Sequence, residues 1–318
     1  MKEGCKHLNI LKQLKGKDFL KLADFSTEEI LALLELAVQI KAGKGPKKPL
    51  AGKTLGMIFQ KSSTRTRVSF EVGMLQLGGH PLFLSNNDIQ LGRGESIHDT
   101  AKVLSRYLDG IMIRAHGHDE VEQLAEYADI PVINGLTDSY HPCQMMADML
   151  TIQEHKGKLK GLKIAYIGDG NNVAHSILIG SAKVGMNVAI ASPVGYEPDE
   201  AIVEQAKGFA EQQGSQVFIT NDPVAAVQDA DVIYTDVWAS MGQESEQDER
   251  VQKFAGFQVN QELCTYAKAD YIFLHCLPAH RGEEVAADII DGKHSVIFDE
   301  AENRLHAQKA ILVACMSD

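Results

Sequence analysis

The sequence lacks the features that would place it in a membrane or outside the cell. No uncharged apolar run approaches the roughly 20 residues that a membrane-spanning helix needs. The first segment, MKEGCKHLNILKQLKGKDFL, has no long apolar core and no small-residue cleavage site, so we expect no secretory signal. The five cysteines are odd in number and widely scattered, which is typical of reduced thiols and not of a disulfide framework. These absences predict a cytoplasmic protein that does not act on a membrane.

The sequence also has fewer positively than negatively charged side chains. The chain has 31 Lys and Arg against 43 Asp and Glu, which gives a formal net charge of −12. This balance argues against a general binder of nucleic acid or of anionic membranes. An anionic ligand would therefore need a local basic pocket set in an acidic background. The length of 318 residues and the hydrophobic content of 44% are ordinary for a globular enzyme of one large or two smaller domains.

Short apolar runs alternate with helical patterns along the chain, and this alternation is the signature of parallel α/β architecture. The predicted strands lie near 54–59, 81–84, 110–114, 131–134, 162–168, 187–191, 216–219, 231–237, 270–276 and 295–298. Helical patterns in the first half fill 26–41, 67–77, 95–108 and 118–128. We predict two doubly wound parallel-sheet domains, with function at the carboxyl ends of their strands and in a cleft between them.

Two further helical segments bear on the domain boundaries. Residues 142–156 read as a helix that ends at Gly157 and bridges the two domains. Residues 301–316 are also helical, and we expect the C-terminal segment 301–318 to pack back on the first domain. The predicted domains are therefore 1–147 and 148–300.

The run 61–67, Lys-Ser-Ser-Thr-Arg-Thr-Arg, is the most informative stretch. It lies between a strand-like run and a helical pattern, so backbone N–H groups and the positive end of a helix point at one spot. The hydroxyls of Ser63, Thr64 and Thr66 add donors, and Arg65 adds a guanidinium that suits phosphate oxygens. This pattern predicts a phosphate site without a glycine-rich loop. Taken alone, the run fits a solvated basic turn that caps a helix equally well.

Chemically active side chains collect at the ends of the predicted strands. Because these ends meet at one rim of a parallel sheet, we expect the side chains to be neighbours. Arg114 could instead be a surface charge, and His141 and Gln144 could simply cap a helix. Cys276 and Met241 could be core residues. The residues at these ends are Arg114, His141, Gln144, Asn172, Asp236, Met241 and Cys276.

Two other kinds of site find less support. The segment 168–173, Gly-Asp-Gly-Asn-Asn-Val, resembles the start of a dinucleotide fingerprint, but Val173 occupies the third glycine position. The next predicted strand ends in Ser192 where such sites carry an acidic residue. The histidines at 116–118 and the pair 275–276 lack further ligands at fixed spacing for a metal. We therefore expect neither NAD, nor another cofactor, nor a metal.

Together these stretches resemble the aspartate/ornithine carbamoyltransferase family, and its ornithine branch more than its aspartate branch. The resemblance runs from about Leu20 to the C-terminus, with the motifs in order. They are Ser63-Thr-Arg-Thr-Arg67, Gln90-Leu-Gly-Arg-Gly-Glu-Ser-Ile97 with Asp99-Thr100, Arg114, His141-Pro-Cys-Gln144, Gly168-Asp-Gly-Asn-Asn172, Asp236-Val-Trp-Ala-Ser-Met-Gly242, His275-Cys-Leu-Pro278 and Phe298-Asp-Glu-Ala-Glu-Asn-Arg304. Aspartate enzymes of the family carry Pro-Leu-Pro where this chain has 276–278, and they lack the loop 240–242.

The resemblance implies a carbamoyl phosphate-binding domain at 1–147 and an ornithine-binding domain at 148–300. It implies that carbamoyl phosphate contacts Ser63, Thr64, Arg65, Thr66, Arg114, His141 and Gln144, with Cys276, Leu277 and Arg304 at the reacting groups. Gln90 would reach the same ligand from a neighbouring subunit of a homotrimer. Ornithine would be held by Asn172, Asp236, Ser240 and Met241.

The implied reaction transfers the carbamoyl group of carbamoyl phosphate to the δ-amine of ornithine, giving citrulline and phosphate in arginine biosynthesis. Arg65, Arg114 and His141 would act catalytically on the donor. Cys276 would align or deprotonate the amine without forming a covalent intermediate. One alternative is a sister carbamoyltransferase that uses putrescine or an N-acylated ornithine, and another is a non-catalytic phosphometabolite-binding protein.

Overall fold

The computed structural model describes residues 9–91, 93–239 and 246–318, which form two compact units, each with its own parallel sheet. The first unit ends at Ala147 and takes up the chain again from Asn303 to Asp318. The second unit is Asp148–Glu302. The predicted α/β class with two parallel sheets is therefore confirmed.

Four parallel strands form the sheet of the first unit: β1 (Thr54–Phe59), β2 (His80–Ser85), β3 (Gly110–Arg114) and β4 (Val132–Leu136). Their spatial order is β2-β1-β3-β4, so the direction of winding reverses between β1 and β3. The helices are α1 (Thr27–Lys41), α2 (Thr64–Gln76), α3 (Ile97–Leu104), α4 (His118–Tyr127) and α5 (Pro142–Lys156). Doubly wound sheets bind ligands at such a reversal, next to the carboxyl ends of the strands.

Five parallel strands form the sheet of the second unit: β5 (Lys163–Ile167), β6 (Asn187–Ala191), β7 (Val217–Thr220), β8 (Val232–Thr235) and β9 (Ile272–Leu274). Their order is β7-β6-β5-β8-β9, and the winding reverses between β5 and β8. The helices are α6 (Asn172–Lys183), α7 (Glu200–Gln213), α8 (Pro223–Val227), α9 (Gln247–Lys253), α10 (Gln261–Cys264), α11 (Ala287–Ile290) and α12 (Ile297–Met316).

The central strands are buried on both faces, which explains why they read as continuous apolar runs and not as alternating ones. Every residue of β3, β4, β8 and β9 is buried. Ile58 and Ile111 belong to a core cluster of the first unit, and Trp238 and Phe254 to one of the second. These cores make each sheet a rigid platform for the loops that follow its strands.

Two helices pass from one unit into the other. The helix predicted at 142–156 is present with those bounds as α5, and α12 continues from the second unit into the first. Strands predicted at 54–59, 110–114 and 187–191 also have the observed bounds. Even α12, with 20 residues, carries several charges, and no helix in the described ranges is long and apolar enough to cross a membrane.

The strand predicted at 295–298 is wrong. Only Ser295 pairs with the sheet, in an isolated bridge to β9, and α12 begins at Ile297. The acidic residues Asp299 and Glu300 lie in the first turn of this helix, where negative side chains interact favourably with the positive helix end. An apolar run of four residues fits either a strand or the start of a helix, so periodicity could not separate the two.

The turn after β5 depends on two glycines. Gly168 has a φ of 147°, a backbone conformation that other residues rarely adopt. A Cβ atom on Gly170 would overlap the backbone of Glu197 and Pro198, so the turn passes directly against that segment. The close approach places the residues 169–172 at the carboxyl end of the second sheet.

We predict that Gly170→Ala lowers the free energy of unfolding by about 1–3 kcal/mol, because two backbone segments must move apart. Gly208→Ala is the matched control. This glycine lies in α7 with nothing within 4 Å of an added Cβ, and its replacement should raise the free energy by about 0.5–1 kcal/mol. Urea unfolding measures both changes. A Gly170→Ala protein as stable as the wild type would contradict the role of the close approach.

Candidate active site

The N-terminus of α2 follows β1, one of the two strands at the reversal of the first sheet. Ser63 is the N-cap residue, and its Oγ accepts a hydrogen bond of 3.2 Å from the backbone N–H of Thr66. The same hydroxyl lies 3.1 Å from Thr66 Oγ1. Thr64 is the first helical residue and is exposed. The predicted helix cap is therefore present, and it leaves the positive helix end at the carboxyl edge of the sheet.

Arg304 ties the C-terminal helix to this turn. Its Nη2 donates a hydrogen bond of 2.8 Å to Thr66 Oγ1, and both side chains are buried. The two residues are 238 positions apart, and both belong to the first unit. The contact fixes the orientation of the Thr66 hydroxyl and places a guanidinium group beside the cap.

His141 lies among three arginines. Burial lowers the pKa of its imidazole well below the usual range, and the positive charges of Arg304, Arg114 and Arg65 lower it further. The ring is therefore neutral near pH 7, when it can offer one N–H donor and one nitrogen acceptor. Arg114 ends β3, where the pairing with β4 shifts register. Such irregularities redirect the side chain at a strand end.

Two other predicted residues of this group differ in their surroundings. Gln144 is 1% exposed and lies one turn along α5, where its backbone N–H donates to the His141 carbonyl at 3.1 Å. Gln90 lies in the exposed segment after β2, and its carbonyl accepts from the backbone N–H of Arg93 at 2.8 Å. The first unit thus brings Ser63, Thr66, Arg65, Arg114, His141 and Arg304 to one place.

In the second unit, Asp236 is the centre of a hydrogen-bonded group. It follows β8, and its Oδ1 accepts from the Cys276 thiol at 3.0 Å. Its Oδ2 accepts from Asn171 Nδ2, also at 3.0 Å. Asn171 is the N-cap of α6, and its Oδ1 accepts from the backbone N–H groups of Val173 and Ala174. The Asn171 cap and the Asp236 carboxylate therefore hold each other in place next to β5 and β8, where the winding of the second sheet reverses.

Cys276 is a protonated thiol near neutral pH. Burial of the sulfur raises its pKa well above the usual value, and the neighbouring Asp236 raises it further through its negative charge and its hydrogen bond. The carboxyls of Glu300 and Asp148 act in the same direction. A thiol in this setting donates a hydrogen bond and is a poor nucleophile or base.

Backbone and ring contacts determine the shape of the turn after β9. The backbone N–H of Leu277 donates to His275 Nδ1 at 2.9 Å, so this nitrogen carries no proton. His275 Nε2, 3.1 Å from Glu284 Oε1, is then the donor of that buried contact. Leu277 has a φ of 58°, in the left-handed region that costs a non-glycine residue about 1–2 kcal/mol. The ring contact helps to hold Leu277 in that conformation.

The side chains of Asp236, His275 and Cys276 each offer a metal-ligand atom, and these atoms lie within 4.8 Å of one another. The sequence shows no fixed ligand spacing here because the residues follow two different strands. Both ring nitrogens of His275 are engaged, with Glu284 and with the Leu277 backbone. A metal at this position would have to break one of those contacts.

Sequence reasoning missed Asn171. The predicted ornithine contact is its neighbour Asn172, which is the first residue of α6 and is nine-tenths buried. The side chain that contacts Asp236 belongs to Asn171, and an Asn before an apolar helix was the signal that predicts this cap. Ser240 and Met241 lie outside the described residues.

Arg250 was also missed. It donates to Asp169 Oδ2 and to the carbonyl oxygen of Trp238, both at 2.9 Å, and it lies 2.9 Å from Glu246 Oε2. Burial raises the pKa of Asp169 to about 6, although the charge of Arg250 opposes the change. No local sequence pattern indicated the buried pair of Arg250 and Asp169, because the two residues lie 81 positions apart.

The two groups favour ligands of opposite charge. The helix end, three guanidinium groups and a neutral imidazole suit a small dianion such as a phosphate ester. The Asp236 carboxylate, with a thiol and an amide beside it, suits an ammonium group. The group in the first unit therefore suits a phosphorylated ligand, and the group in the second unit suits an amine.

Both units match families of known proteins. Residues 17–154 match "Aspartate/ornithine carbamoyltransferase, carbamoyl-P binding domain", and residues 160–315 match "Aspartate/ornithine carbamoyltransferase, Asp/Orn binding domain". The ornithine carbamoyltransferase of Anoxybacillus flavithermus is 64% identical over 307 residues, covering 96% of this chain and 98% of the relative. That of Bacillus subtilis is 63% identical over 304 residues, covering 95% of each.

Solved structures agree with the sequence relatives. Ornithine carbamoyltransferase from Pyrococcus furiosus superposes with a TM-score of 0.92 at 58% identity, covering 95% of this chain and 98% of that one. Ornithine transcarbamoylase from Giardia lamblia superposes with a TM-score of 0.85 at 32% identity, covering 94% and 97%.

The buried neutral His141 predicts a dependence of stability on pH. Its pKa is lower in the folded chain than the value of about 6.5 in the unfolded chain, so its contribution is complete above pH 6.5. As the pH falls below that value, the unfolded chain takes up the proton first and stability is lost. At pH 5.5, one unit below the unfolded pKa, this loss has an upper limit of about 1.4 kcal/mol.

Urea unfolding of the wild type and of His141→Gln at pH 7.5 and pH 5.5 measures this contribution. The wild type should lose more stability than the variant between the two pH values, with a difference of at most about 1.4 kcal/mol. Equal losses in both proteins would show that His141 takes up a proton in the folded state as readily as in the unfolded chain.

Proposed function

The chain belongs to the aspartate/ornithine carbamoyltransferase family, and we propose that it transfers the carbamoyl group of carbamoyl phosphate to the δ-amine of L-ornithine, giving L-citrulline and phosphate. The observation that carries this proposal is the group of three guanidinium groups around His141 at the N-terminus of α2. It provides the positive charge that a phosphate ester requires in a chain whose net charge is −12. In this proposal residues 1–147 form the carbamoyl phosphate-binding domain and residues 148–300 the ornithine-binding domain.

The donor phosphate binds at the N-terminus of α2. Backbone N–H groups of the first helical turn and the side chains of Ser63, Thr64 and Thr66 donate to its oxygens. Arg65 and Arg114 neutralise its two negative charges. The contact from Arg304 to Thr66 keeps the hydroxyl in position and adds a third cation to the site.

The carbonyl oxygen of the donor gains negative charge when the amine attacks. Donors that meet this oxygen lower the energy of the tetrahedral intermediate more than that of the ground state. Thr66, Arg114 and His141 supply them, and the low pKa of His141 makes its ring a neutral N–H donor. The Gln144 side-chain oxygen accepts from the carbamoyl NH₂ group and orients it.

The acceptor end uses the group around Asp236. Its carboxylate binds the α-ammonium of ornithine, and Asn172, Ser240 and Met241 complete the amino-acid site. Leu277 and Cys276 lie next to the reacting δ-amine. Because the Cys276 thiol stays protonated, we assign it to aligning the amine and not to deprotonating it.

The proposed carbamoyl transfer needs no further reagent. The neutral δ-amine attacks the carbonyl carbon, the C–O bond to phosphate breaks, and the leaving phosphate takes up a proton from the nitrogen. Most free alkylamines are protonated near pH 7, so the reactive form is a minor species. The site therefore favours catalysis as the pH rises toward the pKa of the bound amine.

The cellular context and assembly are part of the same proposal. We place the enzyme in arginine biosynthesis in the cytoplasm, in agreement with the free cysteines Cys143, Cys264, Cys276 and Cys315. We further propose a homotrimer in which Gln90 reaches carbamoyl phosphate bound by a neighbouring subunit. The exposure of Gln90 on the segment after β2 supports this arrangement.

We predict that citrulline forms with L-ornithine and that putrescine and N-acetylornithine react at least about 100-fold more slowly. Asp236 has no ammonium to bind in acylated ornithine, and putrescine lacks the carboxylate that the amino-acid site recognises. A colour assay for the ureido product compares the three acceptors side by side. Faster reaction with either analogue would indicate a sister enzyme, and no product with any acceptor would favour a non-catalytic binding protein.

We predict that Arg65→Ala weakens carbamoyl phosphate binding by about 100-fold, because a charge-assisted contact with the phosphate is lost. Arg67→Ala is the matched control. Arg67 lies on the same helix but pairs with Glu71 at 2.9 Å and stacks over Phe83, so its removal should leave donor affinity within about threefold. Calorimetry measures both affinities. Near-normal affinity in Arg65→Ala would refute the assignment of the phosphate site.

A further inference from the structure

Two buried carboxyl groups in the second unit take no part in the reaction described above. Asp148 lies on α5 and Glu300 in the first turn of α12, and both side chains are 0% exposed. The nearby Asp148 carboxyl raises the pKa of Glu300. Two buried carboxylates this close repel each other, so one shared proton is favourable.

Glu300 has two further donors. Its Oε1 accepts a hydrogen bond of 3.1 Å from the Tyr234 hydroxyl on β8. Its Oε2 accepts one of 2.8 Å from the backbone N–H of His275. Both carboxyl oxygens of Glu300 therefore accept, one from β8 and one from the residue that follows β9.

Burial favours a carboxyl group that holds a proton in this pair. Burial and the nearby Asp148 raise the pKa of Glu300 well above its usual range, while the hydrogen bonds from His275 and Tyr234 oppose the change. An isolated buried carboxylate would be costly, and the shared proton removes half of the charge.

The contact with His275 links the pair to the acceptor site. His275 immediately precedes Cys276, whose thiol donates to Asp236. The backbone N–H of His275, which donates to Glu300, therefore lies immediately before the turn that carries Cys276 and Leu277. Tyr234, the other donor to Glu300, lies on β8 two residues before Asp236. Glu300 thus contacts β8 and the residue that follows β9, the two segments that lead to Asp236 and Cys276.

We propose that Glu300 is a positioning residue of the ornithine site: its carboxyl group holds β8 and the turn after β9 in register, and its buried neighbour Asp148 supports it. This inference rests on the proposed function for its kinetic consequence. The pair contacts neither substrate. It sets the distance between the carboxylate that binds the α-ammonium and the thiol that aligns the δ-amine.

Glu300→Gln tests the proposal, because the amide nitrogen of glutamine places a donor where the carboxylate accepts. The expected result is a rise of about tenfold in KM for ornithine with the affinity for carbamoyl phosphate within about twofold. Asp148→Asn keeps a donor toward Glu300 and should raise this KM less than Glu300→Gln does. Asp299→Asn, an exposed neighbour of Glu300 on α12, is the control and should behave as the wild type.

A second measurement does not depend on ornithine as substrate. Glu300 raises the pKa of the Cys276 thiol, so Glu300→Gln should speed alkylation of Cys276 by iodoacetamide about threefold for each unit that the pKa falls, because a weaker nucleophile partly offsets the larger thiolate fraction. Peptide mapping by mass spectrometry follows this site separately from the other cysteines. Far-UV circular dichroism and thermal unfolding establish that each variant is folded.

The outcomes separate this inference from the proposed function. A wild-type enzyme that forms no citrulline contradicts the proposed function, and the alkylation rates then decide the positioning role alone. A folded Glu300→Gln protein with wild-type KM and a wild-type alkylation rate would overturn the inference. Equal loss of ornithine and carbamoyl phosphate binding would also overturn it, since that result indicates a general structural defect.

Discussion

The electrostatic effect of three guanidinium groups on one buried imidazole is the interaction on which the proposed phosphate site depends. Arg65, Arg114 and Arg304 come from a helix start, a strand end and the C-terminal helix, and each lowers the pKa of His141. Such a concentration of positive charge is unfavourable in an empty site and becomes favourable when a dianion binds. The ring stays neutral among the cations and so remains available as a hydrogen-bond donor to the reacting carbonyl.

The proposed site for the acceptor carries the opposite charge. Asp236 accepts from a thiol and an amide, and buried carboxyls nearby keep the Cys276 thiol protonated. A negative site next to a neutral thiol attracts an ammonium without creating a competing nucleophile. In both units several residues of the proposed site follow the strands where the winding of the sheet reverses, as the rule for doubly wound sheets predicts.

Local signals predicted much of this arrangement. The cap at Ser63 follows from a hydroxyl before a helix, and the strands followed from apolar runs because both faces of each sheet are covered. Contacts between distant segments could not be predicted in this way. The hydrogen bond from Arg304 to Thr66 spans 238 positions. The contact of Asn171 with Asp236 was not predicted, because it joins segments 65 positions apart.

The pKa of His141, measured with and without inorganic phosphate or carbamoyl phosphate, tests the central claim most directly. NMR of protein with ¹³C-labelled histidine, assigned with His141→Gln, follows the ring through a pH titration. The account predicts a pKa well below the ordinary range in the free protein and a clear rise when the dianion offsets the three guanidinium charges. A His141 resonance that titrates identically with and without saturating ligand would contradict the claim that the phosphate binds at this cluster.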